Sequence, residues 1–159
     1  RTQAALARLG QQFDDPTDLL DDIGASLVNS TQDRFERQAG PDGKRWAALS
    51  ADTVLSRLGG ASKAYTKRMT FRAAAKRKMS SMAILIQRGH LRNSITHRAT
   101  RTGVEVGTAM VYGAIHQFGG KAGRGRKISI PARPYLGLDD ADAETIHEKV
   151  QHWLQGTLS

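Results

Sequence analysis

The chain has no cysteine, which removes disulfide frameworks and thiolate metal sites and suits a fold formed in a reducing cytoplasm. It also lacks a long apolar run, so no stretch can serve as a transmembrane helix and no membrane partner is expected. Aromatic residues are only 6% of the chain, too sparse for the stacking platforms that hold single-stranded nucleic acid. The most informative absence is local. Residues 53–104 hold twelve Lys or Arg and no Asp or Glu, whereas the first 42 residues hold eight acids and residues 139–148 five more. What remains is 159 residues with 39% hydrophobic content and a net charge of +9, enough for one domain with a core of its own. The surplus attracts polyanions, whether nucleic acid, an acidic membrane or an acidic protein surface. A chain this bipolar can also satisfy itself, within the fold or across subunits. It begins at Arg1 and not at Met, which leaves the native start open.

Residues 1–13 read as a short amphipathic helix with Leu6, Leu9 and Phe13 on one side. Asp15-Pro16 then starts a long helix: Asp15 as N-cap, Pro16 at the first helical position, and Asp18 in the first turn, where the helix dipole favours negative charge. Leu19, Leu20, Ile23, Leu27 and Phe35 recur at threes and fours as a buried stripe. The helix should stop before Gly40-Pro41, with Gly40 just past its end. Pro41-Asp42-Gly43 has turn chemistry. Trp46 and Leu49 precede a weaker helical pattern over 50–58, cut by Gly59-Gly60. Residues 61–82 are rich in Lys, Arg and Ala with a poor helical stripe, the composition of a mobile arm or inserted loop ordered only against a partner.

After the apolar run Ile84-Leu85-Ile86, residues 95–99 and 104–108 predict a hairpin turning at Arg101-Thr102-Gly103. A helix over 110–118, a third strand over 127–130 and a C-terminal helix through Ile146, Val150, Trp153 and Leu154 complete the chain. Its start at Leu138-Asp139-Asp140 clusters acids in the first turn. The order predicts an α+β domain: a small, mostly antiparallel sheet packed by the long N-terminal helix, a short central helix and the C-terminal helix. Residues 1–159 then form a single domain with a basic insertion at about 59–82.

Residues 111–138, VYGAIHQFGGKAGRGRKISIPARPYLGL, organise this scheme. Lys121, Arg124, Arg126 and Lys127 form a basic glycine-rich loop between elements that look ordered, which reads as a contact surface. The loop lacks the GxxxxGK-Ser/Thr order of a phosphate cradle and opens no helix, so a mobile basic loop describes it better. The five histidines do not make a metal site by spacing: His147 and His152 are five apart, not four. Between Asp52 and Asp139 the only acid is Glu105, which leaves no local pair for acid–base work. These readings argue against an enzyme and imply no cofactor and no metal. Non-specific contact with nucleic acid through the basic 53–104 segment stays as an alternative function.

Four motifs in order carry a resemblance. They are Gly89-His90-Leu91-Arg92-Asn93-Ser94-Ile95, Val104-Glu105-Val106-Gly107-Thr108, Tyr112-Gly113-Ala114-Ile115-His116-Gln117-Phe118-Gly119-Gly120 and Ile130-Pro131-Ala132-Arg133-Pro134-Tyr135-Leu136-Gly137. With Trp46 and Leu49 upstream, they resemble the virion morphogenesis (tail completion) family of Mu- and P2-type phages over residues 15–155. The resemblance implies a structural protein at the head–tail junction that closes or terminates the tail, or completes the neck. It implies a ring of identical subunits, hexamer-like, that partners the tail tube and the head connector, with DNA passing through the lumen. Such a protein would be assembled in the host bacterial cytoplasm and kept in the virion.

Under that resemblance Gly89 and Gly107 allow tight geometry at the hairpin ends, and Tyr112, Ile115 and Phe118 form one helix face packed on the sheet. His116 and Gln117 bond backbone in the following loop, or make a ring contact. Arg133 pairs with a carboxylate, on the next subunit or in its own chain. Tyr112, His116, Gln117, Phe118, Arg133, Tyr135, Asp139 and Asp140 are the expected interface residues. The acidic helix at 139–148 would meet a neighbour's basic segment. Loops 59–82 and 120–127 would face the lumen or an adjoining ring, the latter favoured for 120–127.

Overall fold

The computed structural model describes Gly10 and residues 15–158, so the helix expected over 1–13 lies outside the described residues. The first long helix, α1, runs Thr17–Arg37. Asp15 caps it from one residue farther out than expected: Pro16 holds the cap position, and Asp15 Oδ1 accepts from the Thr17 amide and hydroxyl at 3.2 and 2.5 Å. At the other end Gln38, not a glycine, takes the left-handed conformation at φ 53°. Gly40 serves a different need, because a Cβ there would sit 3.2 Å from the Pro134 carbonyl. It lets the chain pass under the corner at Pro134.

The α1 stripe that is buried is Ile23, Gly24, Thr31, Arg34 and Phe35. Gly24 has no side chain to hold α1 away from the hairpin: a Cβ would lie 2.4 Å from His97 Cδ2 and 2.8 Å from Val104 Cγ2. That hairpin pairs β1 (Thr96–Thr100) with β2 (Gly103–Gly107), in the register Thr96↔Gly107 to Thr100↔Gly103. The strands lie within a residue of expectation. Gly107 needs no special backbone, whereas Gly89, at φ 72°, turns the chain into the short helix His90–Asn93.

The main core is Phe35, Trp46, Leu91, Ile95 and Tyr135, with Ile84, Leu85 and Ile86 packed against it. Phe35 meets Trp46 edge-on at 5.4 Å and Tyr135 at 5.3 Å, geometries that add to plain area burial. The C-terminal helix Asp140–Leu158 lies along α1, tied by Lys149 Nζ to Asp22 at 2.6 Å.

Two expectations are corrected. The strand Ile128–Ile130 does not join the first sheet; it pairs with Gly120–Ala122 as a second two-stranded antiparallel sheet. The basic loop is therefore a short hairpin tongue, closed by a 3-10 turn at Arg124–Arg126, and not a mobile loop. The α+β class holds, with helix dominant. Residues 61–82, expected as a mobile arm or inserted loop, are folded as well, together with the helix expected over 50–58. Ser50 caps the helix Ala51–Leu58, and Ala61–Ala64 and Ala73–Ser80 follow. A separate small core of Leu58, Ala64 and Ala75 is ringed by Val54, Leu55, Tyr65, Phe71, Met79 and Met82. Tyr65 and Phe71 bridge as strand partners and pack ring on ring at 4.5 Å. The helical stripe looked poor because the apolar residues are divided among three short elements, with alanines letting them approach closely.

Candidate assembly interface

The expected interface residues fall into two groups, one locking a corner of the chain and one facing solvent. The corner is residues 131–142. Trp46 Nε1 donates to the Pro134 carbonyl at 2.8 Å. Arg133 is only 6% exposed; its Nε and Nη2 donate to the Ala47 and Ala48 carbonyls at 2.9 and 3.0 Å, and its amide donates to His116 O at 2.7 Å. Within the chain, the carboxylate pairing expected of Arg133 is replaced by backbone carbonyls. Burial, and then the nearby Arg57 charge, hold its pKa below the usual guanidinium value.

Gln117 acts as a backbone clamp. Its Oε1 accepts from the amides of Tyr135 and Leu136, both at 3.0 Å, and its Nε2 donates to Leu136 O at 3.0 Å. Tyr135 is 1% exposed, so it belongs to the core and not to a subunit edge; burial raises its phenol pKa.

Arg34 closes the corner from α1. Its Nη1 donates to the carbonyls of Tyr135 and Gly137 at 3.2 and 2.7 Å. Its Nη2 pairs with Asp139 at 3.2 Å and with Asp142. The two aspartates also cap each other's backbone: Asp142 N donates to Asp139 Oδ1 at 2.9 Å, and Asp139 N to Asp142 Oδ2 at 3.1 Å. Bonding from the Asp142 amide, and then from Arg34, holds the Asp139 carboxyl below 3.8. The start of the acidic helix is thus tied to its own chain, which corrects the idea that Asp139 waits for a neighbour's cation. Asp140 is exposed.

The outward group lies on the helix Gly113–Phe118 and its entry. Ala114 and Phe118, four apart on the helix, and Val111 in the turn that enters it are all exposed apolar residues. Val111 is 98% and Phe118 79% exposed. Tyr112 is exposed too, and of Tyr112, Ile115 and Phe118 only Ile115 turns inward, against Gly120 at 3.4 Å from the Cβ position. Tyr112 and Phe118 therefore do not pack on the sheet as expected. His116 is half-buried, edge-on to the Tyr112 ring at 6.0 Å. Its Nδ1 is buried without a partner. Burial, and then the Arg133 charge, push its pKa below 6.5. On the adjoining tongue Lys121, Arg124, Arg126 and Lys127 are exposed, and none forms an ion pair among the described residues. Ile128 adds an exposed apolar side chain beside them.

The arginine that organises the corner was not singled out by sequence reading. The signal was there: Arg34 follows Leu27 by seven residues, a position the 3.6-residue period assigns to the apolar face.

With this geometry in place, comparison with known proteins is direct. A profile of the phage virion morphogenesis family matches residues 1–155. The chain is 33% identical to a protein of Escherichia phage Mu named putative capsid assembly protein G, over 86% of this chain and 78% of that one. It is 49% identical over 71 residues to the Mu-like prophage FluMu G protein 2 of Haemophilus influenzae, covering 45% of this chain. That alignment spans about half of the Haemophilus relative, 51% of its length. No solved structure matches the chain.

Proposed function

The chain belongs to the phage virion morphogenesis family, and from that premise we propose that it completes or terminates the tail at the head–tail junction as a closed ring of identical subunits. The ring is hexamer-like, meets the tail tube on one side and the head connector on the other, and lets DNA pass through its lumen. The work is structural and not enzymatic, and it places the protein in the virion neck. The observation that carries this reading is the group of exposed apolar residues Val111, Ala114 and Phe118, held on a backbone that Gln117 and Arg133 fix. An apolar face on a fixed frame suits a permanent contact.

A head-to-tail ring joins unlike surfaces, and a suitable counterpart exists. An open groove of about 580 Å³ runs between α1 and the C-terminal helix, with Ile23, Leu27 and Ile146 in its floor and Asp33 and Glu36 among its lining. In the proposed contact the apolar face of one subunit enters this groove on the next, and the cationic tongue lies against its acids. Electron microscopy of particles lacking the protein tests the placement. Filled heads without tails beside over-long tails are expected of a terminator. Heads that leak DNA would move the ring to the head side, and particles of normal form would overturn the proposal.

A further inference from the structure

The folded satellite at residues 51–82 carries eight Lys or Arg and a single acid, Asp52. Arg57 is half-buried and the other seven cations are exposed. None of the eight forms an ion pair among the described residues. Two of them serve the fold through side-chain hydrogen bonds: Arg57 Nη1 donates to Ala83 O and Arg72 Nε to Tyr65 O, each at 2.8 Å. Two open clefts of about 450 and 320 Å³ follow the seam between satellite and main body, with Arg57 and Arg88 in the walls of both. Lys78 adds a further cation to one and His90 and His116 line the other, and neither contains an Asp or Glu. Arg57 Nε is buried there without a partner.

Self-association does not neutralise this charge. Each added copy brings its own +9, so a homo-oligomer multiplies the surplus. Several acids of the main body are already engaged: Asp21 with His97, Asp22 with Lys149, Glu36 with Arg92, and Asp139 and Asp142 with Arg34. Like charges held this close oppose compaction unless an external polyanion meets them. Within the satellite the only large apolar side chain left exposed is Met69, so the surface lacks the desolvated anchors of a protein interface. Tyr65 and Phe71 pack on each other and offer no platform to unstacked bases.

We propose that the satellite and its seam bind the sugar–phosphate backbone of double-stranded DNA without regard to sequence. The inference goes beyond the ring reading and does not need it, because a solitary chain would present the same face.

The test is fluorescence anisotropy of the full chain with a labelled random duplex of about 30 base pairs across a salt series. If about five phosphates are neutralised, log affinity falls against log salt with a slope of about −4 to −5. The triple variant Lys76→Ala, Arg77→Ala, Lys78→Ala should bind at least about tenfold more weakly at low salt and flatten the slope by about 2 to 3. The double variant Lys44→Ala, Arg45→Ala, at the turn after α1, should leave both unchanged. Should the triple fail to fold by circular dichroism, the triple Lys63→Ala, Lys67→Ala, Arg68→Ala carries the same expectation. Absence of binding at low salt overturns the proposal, as does an equal loss in the Lys44/Arg45 variant. So does displacement of DNA by polyglutamate at equal charge, which would point to an acidic protein.

Discussion

Arginines do opposite work in the two folded regions of this molecule. In the main body Arg34 is 1% exposed; it joins α1, the Tyr135–Gly137 backbone and the C-terminal helix through two carbonyls and two carboxylates. In the satellite Arg68 and Arg77 stand in solvent with no acid near them. Both regions have a high content of Lys and Arg, so composition alone does not separate a structural cation from a binding one. Partner and burial do. A buried guanidinium whose two terminal nitrogens are bonded to carbonyls and carboxylates fixes a corner, whereas an exposed one without a partner contributes little to stability and is free for another molecule.

The sharpest way to break the comparison is to remove Arg34. Arg34→Ala leaves Asp139 and Asp142 without their cation, and a stability loss of about 3–5 kcal/mol is expected in denaturant unfolding. Arg34→Lys should rescue only part of it, because an ammonium cannot reproduce the planar fork. A loss no greater than that of Arg77→Ala would end the distinction.

Next in size is Leu58→Ala in the satellite core, expected to cost about 2–3 kcal/mol, at the low end for a leucine truncation because the cluster is small. The loss should be local: hydrogen exchange rises over 51–82 while protection of α1 is retained. Equal deprotection of α1 would show that the two regions fold as one unit.

The smallest effect concerns His116. Its pKa in the folded chain lies below 6.5, so folding favours the neutral ring. The stability it contributes is present above pH 6.5 and lost as pH falls through that value toward the folded pKa. His116→Gln should flatten the stability profile on that acid-side limb and leave the value at pH 8 nearly unchanged. An unaltered profile would place the titration elsewhere.

Much of this was legible in the sequence. Period and capping chemistry located α1, the first hairpin and the C-terminal helix, because each buries a face of one continuous element. The order of motifs from Gly89 to Gly137 pointed to the family. What escaped is what depends on distant contacts. Gly24 looks like a flaw in a helix until His97 and Val104 are placed against it. Tyr135 and Arg133 looked like surface residues because they follow prolines in a corner, yet α1 and Trp46 bury them. The satellite looked mobile because its small core is shared among three short elements, none with a stripe of its own. Phe118 shows the reverse: expected both to pack on the sheet and to meet a neighbouring subunit, it does not pack on the sheet, and the chain turns it to solvent.

The central claim is that the face bearing Val111, Ala114 and Phe118 is a subunit contact. Native mass measurement of the wild-type chain and Phe118→Glu, alone and mixed with tail tubes, tests it most directly. The account predicts a closed oligomer several times the 17.3 kDa subunit for the wild type. It predicts a monomer of unchanged melting temperature for the variant. An oligomer that survives Phe118→Glu, or a wild-type chain that stays solitary in both conditions, would contradict it.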